Sequence, residues 1–322
     1  MTTGTRALAV CLALLAGGGC EDRASSTRPD GPLVVFNAGS LARPLRAALD
    51  TFAARENVHF EQEPAGSLET ARKVTELGRV PDVIALADYA IFPQLLVPEH
   101  TTWYAMFARN RMGLAYSEES RHADSINATN WWRIVLRPGV ETGHSDPHLD
   151  PAGYRALLVM QLAERYYREP GLAERLRRAV PPRNIRPKEI DLVAMIETGE
   201  LDYVYQYESV AQGAGLSFVA FPDAVSLAEV RDSAFYAQAA VRVVGHRPGD
   251  SLTIRGEPIV YALSIPRRAE HARLAEAFVQ FLLSEDGRRI LRANHLDALD
   301  AAVVRGDSIP AWVSGPRPPA SP

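Results

Sequence analysis

Short apolar runs and helix-spaced apolar stripes alternate through the first hundred residues. Leu33-Val34-Val35-Phe36 is a run consistent with a buried strand. Behind it, Leu41, Leu45, Leu49 and Phe52 recur every three or four positions, the stripe of an amphipathic helix. Val58-His59-Phe60 opens a second extended piece. Leu68, Ala71, Val74 and Leu77 form a second stripe, and Asp82 to Leu86 a third strand. This βαβαβ order predicts a parallel sheet with helices on its faces. Farther on, strands are expected at 104–108, 112–116, 202–207, 217–221, 241–244 and 258–265. Helices are expected at 154–167, 190–197, 271–283 and 287–294. The fold class is α/β.

The tetrapeptide Ala-Gly-Ser-Leu stands at both of the first two strand-to-helix junctions, at 38–41 and 65–68. A helix N-terminus leaves backbone N–H groups unpaired and carries partial positive charge. Glycine lets the backbone come close to a ligand and serine adds a hydroxyl donor. Such a turn is an anion cradle or, more plainly, a helix whose Ser40 or Ser67 is an N-cap contributing about 1 kcal/mol. Two identical turns at the carboxyl ends of adjacent parallel strands favour the cradle, because open α/β sheets bind ligands there. Arg43, Arg72 and Lys73 near the turns either raise the local potential or form solvated helix faces.

The chain has 322 residues, 47% hydrophobic and 23% charged, enough for two lobes with their own cores. A net charge of −4 gives no reason to expect a nucleic-acid partner. The N-terminus differs from the rest. Arg6 precedes an apolar run from Ala7 to Ala16, followed by Gly17-Gly18-Gly19-Cys20. This pattern predicts an export signal at 1–19. Small residues before Cys20 point to lipidation there, although Gly17 stands where a bacterial lipoprotein signal usually has Leu. The alternative is a plain cleaved signal. Cys11 would leave with the signal, so no disulfide is expected. Residues 20–32 are polar and aperiodic, a flexible tether.

Other chemistry is sparse. The string lacks a P-loop and a GxSxG motif. Gly143-His-Ser-Asp-Pro-His-Leu-Asp-Pro151 alternates potential metal ligands, but its two Asp-Pro pairs also read as a turn with Asp150 capping the following helix. Tyr203, Tyr205 and Tyr207 alternate along one strand, which turns Gln206 to the opposite face.

Several segments together, VFNAGSL, EPAGSLETARKVTELGRVPDVIALADYAIFPQLL, WYAMFARNRMGLAYS, GHSDPHLDPAGYRALLVMQLAERYY and IRPKEIDLVAMIETGELDYVYQYESVA, resemble the molybdate/tungstate-binding proteins of ABC importers, in their archaeal-type branch. The resemblance spans about Leu33 to Asn294. It implies a two-lobed type II periplasmic-binding-protein fold, each lobe a mixed, mainly parallel sheet flanked by helices. Lobe I would take 33–110 and 240–316, lobe II 111–239, with a tail at 317–322. The crossings are expected near 109–116 and 235–244.

Residue by residue, the resemblance implies that Ser40 and Ser67 donate to the bound oxyanion. It implies that Asp150 approaches the metal atom and that the Tyr236 hydroxyl reaches an oxygen. Gln206 stands where the branch is expected to carry a second carboxylate, which implies a four-coordinate or loosely five-coordinate metal. Ala152 replaces a Cys and His148 an amide. The implied function is capture of molybdate or tungstate outside the cytoplasmic membrane by a non-enzymatic, cofactor-free protein. The implied partners are an ABC permease and its ATPase, with a lipid anchor on Cys20 and a monomeric state. Two alternatives stay open: another tetrahedral oxyanion such as sulfate or phosphate, and a metal-dependent hydrolase built on residues 143–151.

Overall fold

The structure is a computed structural model that describes residues 31–244 and 250–314. The signal at 1–19, Cys20, the tether up to residue 30 and the tail at 317–322 lie outside the described residues. The first βαβαβ unit is present: β1 (Leu33–Ala38), α1 (Ala42–Glu56), β2 (Phe60–Ala65), α2 (Ser67–Thr75) and β3 (Val83–Leu86). It is followed by β4 (Trp103–Arg109) and β5 (Met112–Tyr116), then α3 (Trp131–Val135), β6 (Thr142–Ser145), α4 (Pro151–Tyr167), α5 (Leu172–Arg178) and β7 (Ile185–Arg186). Next come α6 (Asp191–Glu197), β8 (Tyr203–Tyr207), α7 (Glu208–Gly213), β9 (Ser217–Ala220), α8 (Asp223–Ser226) and α9 (Ser233–Tyr236). The chain continues with β10 (Ala240–Val244), β11 (Ser251–Arg255), β12 (Val260–Ser264), α10 (Ala272–Leu283), α11 (Glu285–Ala293), β13 (Asp297–Gly306) and α12 (Ala311–Ser314).

These elements build two mixed sheets flanked by helices. One is six-stranded in the order β13-β4-β12-β3-β1-β2, the other five-stranded in the order β7-β6-β8-β5-β9. In the first sheet β1 pairs parallel with β2 and β3, while β12 runs antiparallel to β3 and β4. In the second, β6 is parallel to β7 and β8, and β5 is antiparallel to β8 and β9. A chain that begins in one sheet, crosses to the second and returns makes two connections between lobes. The outward one is only Asn110 and Arg111, between β4 and β5. The return runs from the end of β9 through α8, α9 and the β10–β11 hairpin to β12.

Helix and strand faces are buried as their periodicity requires. Leu45, Ala48, Leu49 and Phe52 of α1 and Leu68, Ala71 and Val74 of α2 lie in the core with β1 and β3. Phe52 meets Phe278 of α10 edge-on at 5.3 Å, tying the C-terminal helices to the first sheet. In the second lobe Trp131 is fully buried against Phe221 and Tyr205. The stretch 143–151 splits in two. Thr142–Ser145 is a wholly buried strand, and the rest turns into α4. The His144 ring is occupied with the Ser145 carbonyl at 2.7 Å, and His148 Nδ1 accepts from Val244 N.

Candidate functional site

The parallel register of β1 and β2 sets Ala38 opposite Ala65. The two Ala-Gly-Ser-Leu turns therefore leave the sheet side by side at the same level. Neither serine caps its helix. Leu41 stands at the α1 N-cap and Gly66 at that of α2, without a side-chain capping bond at either. Both serines are buried. Ser67 Oγ accepts from Ala87 N at 3.0 Å, and Ser40 Oγ accepts from the Tyr261 hydroxyl at 3.2 Å. Each bond takes a lone pair and leaves the serine proton to donate elsewhere, that of Ser40 toward Glu189.

Across the cleft, Asp150 caps α4. Its Oδ1 accepts from Ala152 N at 3.2 Å and its Oδ2 from Glu189 N at 2.8 Å. That second bond fixes the loop between β7 and α6 and brings the Glu189 side chain beside Asp150. The Glu189 carboxylate is buried, with no hydrogen-bond partner of good geometry for either oxygen. A Cβ on Gly39 would lie 3.0 Å from both of its oxygens, so glycine in the first turn is what lets this carboxylate reach the serine side of the cleft. Burial pushes the Asp150 carboxyl up, against the pull of Glu189, Ser145 and backbone amides. Burial pushes Glu189 well above the ordinary carboxylate range, and the adjacent Asp150 charge adds to it. A buried polar atom without a partner is costly, and here two such oxygens face a second carboxylate and a serine. The arrangement suits a ligand that binds carboxylates and also accepts hydrogen bonds.

The floor of the cleft is a hydrogen-bonded cage around Arg155, which is buried. Its guanidinium donates to the Ala87 carbonyl and the Tyr207 hydroxyl, both at 2.7 Å, and pairs with Asp88 at 3.3 Å. Tyr154 also donates to Asp88. Asp88 follows β3 in one lobe and Arg155 belongs to α4 in the other, so the pair joins the lobes. Tyr207 accepts from Arg155; burial pushes its hydroxyl well up, Arg155 pulls against that, and the charges of Tyr261, Asp150 and Glu189 add to the rise.

The lobes also meet at one rim. Leu68 N and Glu69 N of α2 donate to the Leu149 carbonyl at 3.1 and 3.2 Å. Arg72 donates to the carbonyls of His148 at 2.9 Å and Val244 at 2.6 Å. Lys73 instead pairs with Glu63 and Glu69.

Of the residues expected from sequence, Ser40, Ser67 and Asp150 converge. Gln206 and Tyr236 are engaged in other hydrogen bonds. Gln206 Nε2 donates to the Glu189 carbonyl at 2.9 Å and its Oε1 accepts from Tyr207 N at 2.8 Å. With both ends of the amide occupied, Gln206 braces its neighbours. The Tyr236 hydroxyl donates to the Asp223 carbonyl at 2.5 Å and accepts from Glu229 N at 3.1 Å. That side chain locks the return connection. The carboxylate that the structure places beside Asp150 is Glu189, and the tyrosine bonded to Arg155 is Tyr207. Sequence reasoning missed Glu189 because it stands among charged, aperiodic neighbours, in Arg-Pro-Lys-Glu-Ile-Asp.

The family described as bacterial extracellular solute-binding protein matches residues 33–297. A solute-binding protein of Petrotoga mobilis, not characterised further, is 45% identical over 82% of this chain and 83% of its own length. The molybdate/tungstate-binding protein WtpA of Thermococcus kodakarensis is 35% identical, covering 95% of this chain and 94% of its own. Among solved structures, the periplasmic molybdate-binding protein of Azotobacter vinelandii superposes with a TM-score of 0.57 at 16% identity, over 82% of this chain and 98% of that one. The sulfate-binding protein SubI of Mycobacterium tuberculosis H37Rv gives 0.58 at 13% identity, over 88% and 89%. These likenesses show the two-lobed fold of periplasmic binding proteins.

Proposed function

The chain belongs to the bacterial extracellular solute-binding protein family, and from that premise we propose that it captures molybdate or tungstate for an ABC importer. In this reading the protein binds and delivers the anion without catalysing a reaction. The choice of solute rests on the pairing of Asp150 with Glu189 opposite two serine donors. Two carboxylates beside a −2 anion repel it unless their oxygens bond to its central atom. Molybdenum and tungsten can take additional oxygen ligands; sulfur in sulfate and phosphorus in phosphate do not. In the proposed complex Ser40, Ser67 and Tyr207 donate to oxo groups while Asp150 and Glu189 complete a six-coordinate metal. The two lobes then close at hinges near 110–111 and in the return connection, with the lobe limits 33–110, 111–239 and 240–316. The name and the 35% identity of the Thermococcus relative support the reading.

The rest of the setting is part of the same proposal. The chain is exported by the signal at 1–19, held to a bacterial membrane through a lipid on Cys20, and works as a monomer that hands its anion to a permease driven by its ATPase. Among the described residues no helix is long and apolar enough to cross a membrane.

Calorimetric titration with molybdate, tungstate, sulfate and phosphate tests the solute. Tight binding of the first two and weak binding of the others is expected. Preference for phosphate, whose protonated form could donate to a carboxylate, would sink the coordination argument. X-ray absorption on the molybdate complex should show six oxygen neighbours.

A further inference from the structure

One rim of the cleft is sealed by α2 against Leu149, His148 and Val244; the opposite rim is not. Beside Ser40 a cavity of about 220 Å³ opens between the lobes, lined by Ser40, Arg43 and Pro44 on one side and Ile190, Ser209 and Gly213 among others on the other. It reaches Gly39 and Ser40, hence the Glu189 carboxylate packed on Gly39. Arg43 is the one charged residue on its lining. It is exposed in the first turn of α1 and faces α7 across the gap: a Cβ on Gly213 would lie 3.6 Å from Arg43 Cδ.

The cations around the twin turns divide sharply. Arg72 is occupied with two carbonyls and Lys73 with two carboxylates. Arg46, one turn further along α1, pairs with Asp50 at 3.1 Å. Arg43 has no ion pair or side-chain hydrogen bond among the described residues. An unpaired guanidinium at the mouth of a gap leading to an anion site focuses the field on approaching anions. A charge on the rim acts on arrival more than on retention.

We infer that the gap beside Ser40 is the access route for the oxyanion and that Arg43 steers the dianion into it. The inference rests on the oxyanion reading above. Arg43 is a positioning residue for capture and makes no bond to the seated ion.

Stopped-flow fluorescence with molybdate separates the two rate constants in the full protein. The variants are Arg43→Ala, Arg43→Glu and, as a control on the same helix, Arg46→Glu. At low salt the association rate should fall about threefold in Arg43→Ala and about tenfold in Arg43→Glu. Dissociation should be unchanged. The differences should shrink at 0.5 M salt, where charges are screened. Arg46→Glu carries the same change in net charge and should have the smaller effect. Equal slowing by Arg46→Glu, an unchanged association rate in Arg43→Glu, or a change confined to dissociation overturns the inference. Thermal melts of the two Arg43 variants should match the parent, since Arg43 is exposed and unpaired among the described residues. If the parent binds none of the four oxyanions, the oxyanion reading fails and the steering role with it. If it binds and Arg43→Glu arrives as fast, only the steering role fails.

Discussion

At the scale of single residues, the proposed complex separates donors from ligands. In the proposed complex Ser40→Ala and Ser67→Ala each remove one hydroxyl that donates to a charged partner, so each should weaken molybdate binding by about 1–3 kcal/mol in calorimetry. Glu189→Gln should lower the metal coordination number seen by X-ray absorption. Tyr236→Phe should leave affinity unchanged and lower the melting temperature, because its hydroxyl serves Asp223, Glu229 and Ser226. The raised titration of Glu189 and Asp150 has a consequence for stability. A carboxyl whose folded pKa lies above its unfolded value contributes its full stability below the unfolded value, near 4.3 for Glu, and loses it as pH rises through the folded value. The anion-free protein should therefore lose melting temperature as pH rises above about 4.3. Glu189→Gln should flatten that loss; an unaltered slope would mean that Glu189 is ionised in the free protein.

At the scale of elements, what was legible followed burial. β1, β3, α1, α2 and α4 carry continuous runs or clean stripes because one or both faces are buried, and all were readable. β13 was not. It is an edge strand whose Asp297, Asp300 and Arg305 face solvent, so no apolar alternation marks it. β6 is wholly buried yet reads Thr-Gly-His-Ser, and its polar side chains suggested a metal turn. The twin turns were legible as a repeated tetrapeptide, whereas Glu189 is placed by tertiary bonds from its backbone to Asp150 and Gln206. Two contacts between elements are open to test. A Cβ on Gly66 would meet the Leu149 carbonyl at 2.3 Å, so Gly66→Ala should hold α2 away from that loop and weaken anion binding. Arg155→Met would leave Asp88 buried without its cation and should destabilise the protein by about 3–5 kcal/mol in denaturant melts. Recovery in the double variant Arg155→Met/Asp88→Asn would assign the loss to the stranded charge.

At the scale of the whole molecule, the outward crossing is two residues long and each sheet is complete in itself. Asn110 in that crossing donates to Ser209 of one lobe at 2.7 Å and Tyr261 of the other at 2.9 Å. Small hinge rotations there would move Asp150 and Glu189 toward or away from the serines. Small-angle scattering should give a smaller radius of gyration with saturating molybdate than without. Identical curves would count against a hinge.

The shared rung of Ala38 and Ala65 carries a further consequence. Ser40 and Ser67 hang from one rigid sheet, on strands about 4.8 Å apart, and keep their spacing whatever the other lobe does. In the proposed role, this half of the grip is ready before closure and is blind to the central atom. Any tetrahedral dianion can alight on it. Discrimination comes later, when the two carboxylates swing in and find a centre that accepts them or one that does not. Abundant sulfate would therefore crowd the landing place and delay the rarer ion, yet it could not evict that ion once the lobes had shut.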